Sequence, residues 1–573
     1  MTGTPANLDR LLHAWQARVT GGVAPTSLTL AFLDWAVHLA GSPGAQQRLA
    51  DKAVRKAGRL AAYVVERWRD PAAPACIEPL PQDHRFDDPA WRQWPFDILV
   101  QAFLLSQQWW HNATTGLEGV SRHHEEVVAF CARQMLDVVS PSNFLLTNPE
   151  VLARTTQEGG RNLLRGAGNL VEDSLRAVAG RPPVGAEAYP VGEVVALTSG
   201  VVVFRNRLIE VIQYRPATEA VHPEPVLIVS APIMKYYILD LSPENSLVRY
   251  LVERGHTVFV VSWHNPDEGD RDLGLGDYRT LGIEAALDAV SAVVPDQRVH
   301  AVGYCLGGTW MSIAAAAWAR DGDKRLASLT LFATQVDFTE VGELSLFVDE
   351  DQVTYLEDLM WDRGYLDKTQ MAGAFQLLRT ADLLWSRNVG QYLLGEREPM
   401  TDLMAWNADG TRLPYRMHSE NLRSLFLGND LAQGRFLVGG RPISLTDISV
   451  PIFSVGTERD HVCPWRSVYK LGMLVDTEVT FLLTSGGHNA GIVSPPGHPH
   501  RSYRVATHRE GELRLDPDTW QQATPVHTGS WWPCWQEWLA ERSAPPAELP
   551  GLGAPAAGYP VLGEAPGTYV HER

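Results

Sequence analysis

Residues 299 to 310 read Val299-His300-Ala301-Val302-Gly303-Tyr304-Cys305-Leu306-Gly307-Gly308-Thr309-Trp310, and this stretch decides the fold. A β-branched apolar run leads into Gly-x-Cys-x-Gly and then into the alanine-rich segment Ser312 to Ala319. Strand, tight turn and helix in that order make a nucleophile elbow, here with cysteine in place of serine. Side chains at Gly303 or Gly307 would collide with neighbouring backbone, so glycine leaves Cys305 standing above the sheet. The helix directs its first amides at the same point, which favours a thiolate and the oxyanion formed when it attacks. A lone cysteine is more often a small core residue. The strand, both glycines and the helix together outweigh that reading.

Further along the chain an elbow needs an acid and then a histidine, each just after a late strand. Ile452-Phe453-Ser454-Val455 precedes Gly456-Thr457-Glu458-Arg459-Asp460-His461, and Thr480-Phe481-Leu482-Leu483 precedes Ser485-Gly486-Gly487-His488-Asn489. Asp460 is preferred over its neighbour Glu458 by its place after the strand, and His488 over His461 because the glycines beside it favour a tight turn. Two oxyanion donors are expected. One is the amide of Leu306, and the other lies in the loop after the strand ending near Val229, around Ile233 or Met234.

Other apolar runs, Val201 to Phe204, Pro225 to Val229, Thr257 to Val261 and Ser328 to Phe332, alternate in their later part with helical stretches. Strands apolar throughout are covered on both faces, so the fold class is α/β, a mostly parallel sheet wrapped by helices. Residues 1–190 read as a helical N-terminal accessory domain, with Pro182-Pro183 near its end, and 191–573 as the catalytic domain. Between Phe332 and Pro451 no clear strand occurs. A cap over residues 337–436, built from the helices around Trp361, Trp385 and Trp406, is expected there to gate access to Cys305. From about residue 542 the chain is rich in Pro, Ala and Gly and reads as an extended surface tail.

Composition narrows the function classes. A formal charge of −18 opposes binding to nucleic-acid phosphates. No basic-then-apolar leader and no run of about 18 apolar residues is seen, so neither secretion nor membrane insertion is expected. The 5 cysteines, Cys76, Cys131, Cys305, Cys463 and Cys534, are odd in number, widely spaced and without a Cys-x-x-Cys pair, which points to neither a disulfide framework nor a metal site. Gly166-Ala167-Gly168 and Gly274-Leu275-Gly276 lack the Gly-x-Gly-x-x-Gly spacing after a strand, so no nucleotide cofactor is expected.

At this point the residues resemble the polyhydroxyalkanoate synthases, whose elbow carries cysteine in a Gly-Tyr-Cys-x-Gly-Gly setting. The resemblance extends to Arg85-Phe86-Asp87-Asp88-Pro89-Ala90-Trp91, Ser140 to Phe144 with Thr147 to Glu150, Lys235 to Leu241 with Pro243 to Ser246, Ser262 to Pro266, Trp406-Asn407-Ala408-Asp409 and Ser485 to Gly491. It implies an α/β-hydrolase fold with a cap insertion behind a helical N-terminal domain, and a triad of Cys305, Asp460 and His488. The implied activity is polymerisation of (R)-3-hydroxyacyl-coenzyme A into polyester, with coenzyme A carried by the substrate rather than held as a cofactor. The implied setting is a homodimer at the surface of cytoplasmic polyester inclusions, with other granule-associated proteins as partners. The single-chain length resembles the one-subunit classes. Departures from the family pattern stand at Ala231 to Lys235, at His264-Asn265-Pro266 and at Thr380-Ala381-Asp382, and they bear on substrate range and cap contacts. Two other readings of the same residues are an acyl hydrolase or polyester depolymerase, since a fold does not determine its chemistry, and a catalytically silent granule-surface protein adhering through tryptophans such as Trp531, Trp532 and Trp535.

Overall fold

In the computed structural model, which describes residues 5–368, 370–371 and 384–573, the chain divides into two compact units. One comprises residues 1–16, 184–371 and 400–573, and the other residues 17–183 and 372–399. The first is built on an 11-stranded sheet. Its strands are β1 (Gly200–Arg205), β2 (Ile209–Tyr214), β3 (His222–Val229), β4 (His256–Trp263), β5 (Val299–Tyr304), β6 (Leu326–Phe332), β7 (Ile452–Thr457), β8 (Val479–Thr484), β9 (Ser502–His508), β10 (His527–Thr528) and β11 (Gly563–Glu564). Their spatial order is β10-β9-β8-β7-β6-β5-β3-β4-β2-β1-β11.

The central strands β4, β3, β5, β6, β7 and β8 run parallel, and Val302 on β5 faces Ile228 on β3 and Thr330 on β6. Every residue of β5, β6, β7 and β8 is buried, which is why these segments read as unbroken apolar runs. Both edges are antiparallel, so the sheet is less parallel than its sequence texture implies. The reason is connection length: β1 and β2 are joined only by Asn206, Arg207 and Leu208, too short for the crossover a parallel pair needs.

The C-terminal residues form part of this architecture rather than a loose surface strap. Glu564 and Gly563 pair with Val201 and Val202 at the sheet edge. The fully buried carboxylate of Glu210 accepts hydrogen bonds from the amides of Thr568 and Tyr569 at 2.9 and 3.0 Å. Trp531, Trp532 and Trp535 are 0%, 1% and 0% exposed, so they are core residues and unavailable as an adhesive surface.

The helical unit draws on Pro25–Ala40, Pro43–Arg69, Phe96–Thr114, Arg122–Val138, Pro149–Glu158 and Arg161–Val178. A small core of Phe86, Trp91, Val100, Phe103 and Leu104 holds it, with Phe86 and Trp91 edge to face at 5.1 Å. Charged pairs tie its elements together, Arg67 to Asp97 at 2.6 Å and Arg85 to Asp137 at 2.8 Å. The unit is not a continuous N-terminal piece, because a segment from the interval read as a cap packs into it. Asn162 donates to the carbonyl of Leu393 at 2.8 Å and Arg397 pairs with Asp173 at 2.9 Å. This explains Gly166: a Cβ there would lie 2.0 Å from the Tyr392 carbonyl oxygen. Residues 369 and 372–383 of that interval, including Thr380-Ala381-Asp382, lie outside the described residues.

The elbow itself is enforced by close backbone packing. A Cβ on Gly303 would lie 2.3 Å from the Gly308 Cα, and one on Gly307 would lie 2.5 Å from the Val229 carbonyl oxygen and 2.6 Å from that of Ser230. Rigid backbone cannot move aside as a flexible side chain can. Gly307→Ala is therefore expected to destabilise the hydrolase unit by about 2 kcal/mol or more, whereas Gly276→Ala, with nothing within 4 Å, should stay within about 0.5 kcal/mol of the parent. Urea unfolding of the two variants measures the contrast, and equal midpoints would refute the packing argument.

Candidate active site

Cys305 follows β5 directly and caps the helix Leu306–Asp321. Its backbone sits at φ 54° and ψ −126°, a conformation costly for any side-chain-bearing residue and held only where surroundings impose it. They do so here. The Cys305 amide donates to the Phe332 carbonyl at 2.9 Å, and its own carbonyl accepts from the Gly308 and Thr309 amides at 2.9 and 3.2 Å. The result places Sγ at the helix N-terminus in a site where Cys305 is only 6% exposed.

Asp460 and His488 come to the same point from the ends of β7 and β8, which are neighbours in register, Thr457 opposite Thr484. The Asp460 side chain is fully buried, and its Oδ2 accepts from His488 Nδ1 at 2.8 Å. Its other oxygen accepts from the Val462 and Cys463 amides at 2.9 and 2.8 Å, and the Thr457 hydroxyl donates to Oδ2 at 3.0 Å. Desolvation pushes this carboxyl up, but the His488 charge and hydrogen bond and these amides outweigh it and hold Asp460 below its ordinary range. Glu458 and His461, the sequence competitors, are exposed.

His488 stands on a turn that needs its glycines, since Gly486 has φ +108° and a Cβ there would lie 3.0 Å from Gly491. Two features absent from the sequence reading support the turn. The Tyr304 ring stacks on the His488 ring at 5.7 Å, and its hydroxyl donates to Asn489 Oδ1 at 2.5 Å. The indole N–H groups of Trp531 and Trp532 donate to the carbonyls of Gly491 and Ile492, both at 2.9 Å. Burial alone would lower the His488 pKa, but the Asp460 and Cys305 charges raise it well above the usual histidine value.

Sequence reasoning names Cys463 without placing it in the site. Cys305 Sγ, Cys463 Sγ and a ring nitrogen of His488 lie within 4.8 Å of one another. The Cys463 sulfhydryl, and beyond it the His488 charge and the Leu306 amide, overcome desolvation and lower the Cys305 thiol to about 5. Cys76, Cys131 and Cys534 are pushed up instead, chiefly by burial, Cys534 to about 11. The available signal was position: Cys463 follows Asp460 by three residues, inside the turn that presents the carboxylate.

Of the oxyanion candidates, Leu306 is the first residue of the helix beyond Cys305. The Met234 amide donates to the Ala231 carbonyl at 3.4 Å, whereas the Ile233 amide makes no hydrogen bond among the described residues. Their loop is held from several sides. Thr411 Oγ1 donates to the Pro232 carbonyl at 2.5 Å, and the Trp406 indole to that of Lys235 at 2.8 Å. Lys235 Nζ donates to the carbonyls of Val570 and Glu572 at 2.6 and 2.5 Å.

The chain resembles known proteins over most of its length. Family models match residues 3–44 (poly-beta-hydroxybutyrate polymerase N terminal), 82–251 (poly-beta-hydroxybutyrate polymerase (PhaC) N-terminus) and 236–495 (alpha/beta hydrolase fold). The chain is 42% identical to a poly(3-hydroxyalkanoate) polymerase of Methylorubrum extorquens over 89% of its own length and 84% of the relative's. It is 36% identical to the poly(3-hydroxyalkanoate) polymerase subunit PhaC of Cupriavidus necator over 85% and 83%. No helix among the described residues is long and apolar enough to cross a membrane. With its hydrolase-type sheet and cysteine elbow, the chain belongs to the poly(3-hydroxyalkanoate) polymerase family.

Proposed function

We propose that this enzyme is an acyltransferase that polymerises 3-hydroxyacyl-coenzyme A into polyester, with Cys305, His488 and Asp460 as its catalytic triad. The observation that carries the assignment is the 2.8 Å bond from His488 Nδ1 to Asp460, which leaves Nε2 free beside the Cys305 sulfur. The thiolate attacks the thioester carbonyl, and the oxyanion is met by the Leu306 amide and, from the loop opposite, that of Ile233. Collapse expels coenzyme A, whose sulfur takes a proton from His488. The hydroxyl of another acyl unit then attacks the Cys305 thioester, its proton passes to the imidazole, and the thiolate is regenerated with one more ester formed.

Cysteine suits the first step because the bond broken and the bond made are both thioesters, and the Cys305 thioester stays activated toward the hydroxyl that forms the ester. Hydrolysis is the competing fate, and burial of Cys305 opposes it by limiting water at the acyl group. A depolymerase would need that water, so the buried nucleophile favours synthesis over the hydrolase reading. The same reading places the enzyme at the surface of the polyester it makes, as a homodimer and beside other granule-associated proteins.

A lowered thiol has a visible consequence. Cys305 stays a thiolate as the pH falls below the ordinary thiol range and is protonated only as the pH passes through about 5. Its alkylation by iodoacetamide should be nearly flat from about pH 8 to pH 6 and decline below that, while Cys534 stays inert until strongly alkaline pH. Mass spectrometry of the labelled chain reads both. A Cys305 profile rising through the ordinary thiol range would remove the activated nucleophile.

The two partners of Cys305 should separate by step. Thioester formation needs only an acidic thiol deprotonated, whereas elongation needs a hydroxyl of much higher pKa activated. His488→Ala should lose acylation by roughly 100-fold or more. Asp460→Asn should retain part of the acylation and lose most of the polymer yield. Single-turnover coenzyme A release beside polymer yield measures each step. Equal loss of both in Asp460→Asn would reduce the carboxylate to orienting His488.

A further inference from the structure

Cys463 transfers no proton or acyl group in the acyl-transfer sequence beyond favouring the Cys305 thiolate, yet its sulfur is held in place as firmly as that of Cys305. Its amide is fixed to Asp460 Oδ1 at 2.8 Å, it is 5% exposed, and Pro464 follows it. Facing it are the Cys305 sulfur, held by the strained elbow, and the His488 ring, held by Asp460. The three donor atoms lie within 4.8 Å of one another. The His488 side chain is 10% exposed, and its Nε2 makes no hydrogen bond among the described residues.

Two sulfurs and an imidazole nitrogen are the donor set that soft, tetrahedral d¹⁰ cations prefer. A carboxylate on the far ring nitrogen is the outer partner found behind metal-bound histidines, where it fixes the tautomer that leaves Nε2 free to ligate. The charge balance also suits a dication: once the Cys463 proton is displaced, a doubly charged cation neutralises both sulfurs. Sulfur–metal bonds of about 2.3 Å and nitrogen–metal bonds of about 2.0 Å require only small side-chain rotations to close the set.

Resting on the reading of Cys305 as the nucleophile, we propose that Cys305, Cys463 and His488 bind a thiophilic divalent cation of the zinc class, which reversibly blocks acyl transfer by sequestering the nucleophile. Binding forms two sulfur–metal bonds and one nitrogen–metal bond. Any proton still on either sulfur or on Nε2 passes to solvent, and no oxidant or reductant takes part. Release of the cation returns the free thiolate.

Cadmium serves as the spectroscopic probe, titrated into the full-length chain with a non-thiol reductant present. The wild type should bind one Cd2+ per chain with thiolate-to-cadmium charge-transfer absorption. Cys305→Ala, Cys463→Ala and Cys463→Val should each weaken binding by about 100-fold or more, since losing a ligand costs at least as much as losing an outer-shell partner. The Cys305→Ala/Cys463→Val double variant isolates the response of Cys76, Cys131 and Cys534. In parallel, Zn2+ should abolish wild-type coenzyme A release and a chelator restore it. The Cys463 variants, each normalised to its own metal-free rate, should need about 100-fold more Zn2+ for the same inhibition. Cadmium binding that is absent in the wild type, or unchanged in both Cys463 variants, overturns the site, and so does unchanged zinc sensitivity in those variants. Coenzyme A release surviving in Cys305→Ala would instead overturn the proposed nucleophile, while the cadmium titration still reports separately on the metal site.

Discussion

The strained backbone at Cys305 is the constraint from which the rest of the hydrolase unit follows. A residue at φ 54° and ψ −126° costs about 1 to 3 kcal/mol, and it persists because the surroundings leave it no alternative. Gly303 and Gly307 let β5 and the following helix approach until their backbones touch, and Gly308 lets Thr334 in where a Cβ would lie 2.0 Å from its hydroxyl oxygen. Bonds from Phe332, Gly308 and Thr309 then fix the turn. Strain and close packing are two sides of one arrangement: the first aims the sulfur, and the second keeps it from relaxing.

Around that fixed sulfur the site is built inward from buried polar groups. Asp460 takes two backbone amides, one hydroxyl and the His488 ring, so both of its oxygens are hydrogen-bonded within the protein. The imidazole is stacked by Tyr304, and the turn after it is held by two tryptophans whose indoles reach Gly491 and Ile492. In a site this buried each charge acts strongly on the next, which is why the thiol, imidazole and carboxylate titrate together. Cys463 belongs to that set by proximity and adds a second sulfur to the site.

The loop opposite the elbow is secured by pieces that look peripheral in the chain. Trp406 and Thr411, from the interval read as a cap, hold the carbonyls of Lys235 and Pro232. Lys235 is 3% exposed and spends its ammonium on carbonyls near the C-terminus. The C-terminal residues also supply an edge strand and satisfy Glu210. A segment rich in proline and glycine is thus structural here because its backbone groups, more than its side chains, carry the contacts.

Local regularities were legible in the sequence. Strands covered on both faces announce themselves as apolar runs, an elbow needs glycines at fixed offsets, and the acid and histidine follow late strands, so the sheet core and the places of Cys305, Asp460 and His488 could all be read along the chain. Other features depend on which distant segments meet. The antiparallel edges, the packing of Leu393 and Arg397 against the helix Arg161–Val178 and the burial of Trp531, Trp532 and Trp535 are decided by long-range pairing, which leaves no periodic trace. The approach of Cys463 to Cys305 is the clearest case. They stand 158 residues apart in a chain without any Cys-x-x-Cys pair, and only the register of β5, β6 and β7 brings the two turns side by side. Sequence spacing reports ligands carried by one local turn, whereas this cluster is assembled from three separate strand ends, so it becomes visible only when the sheet has formed.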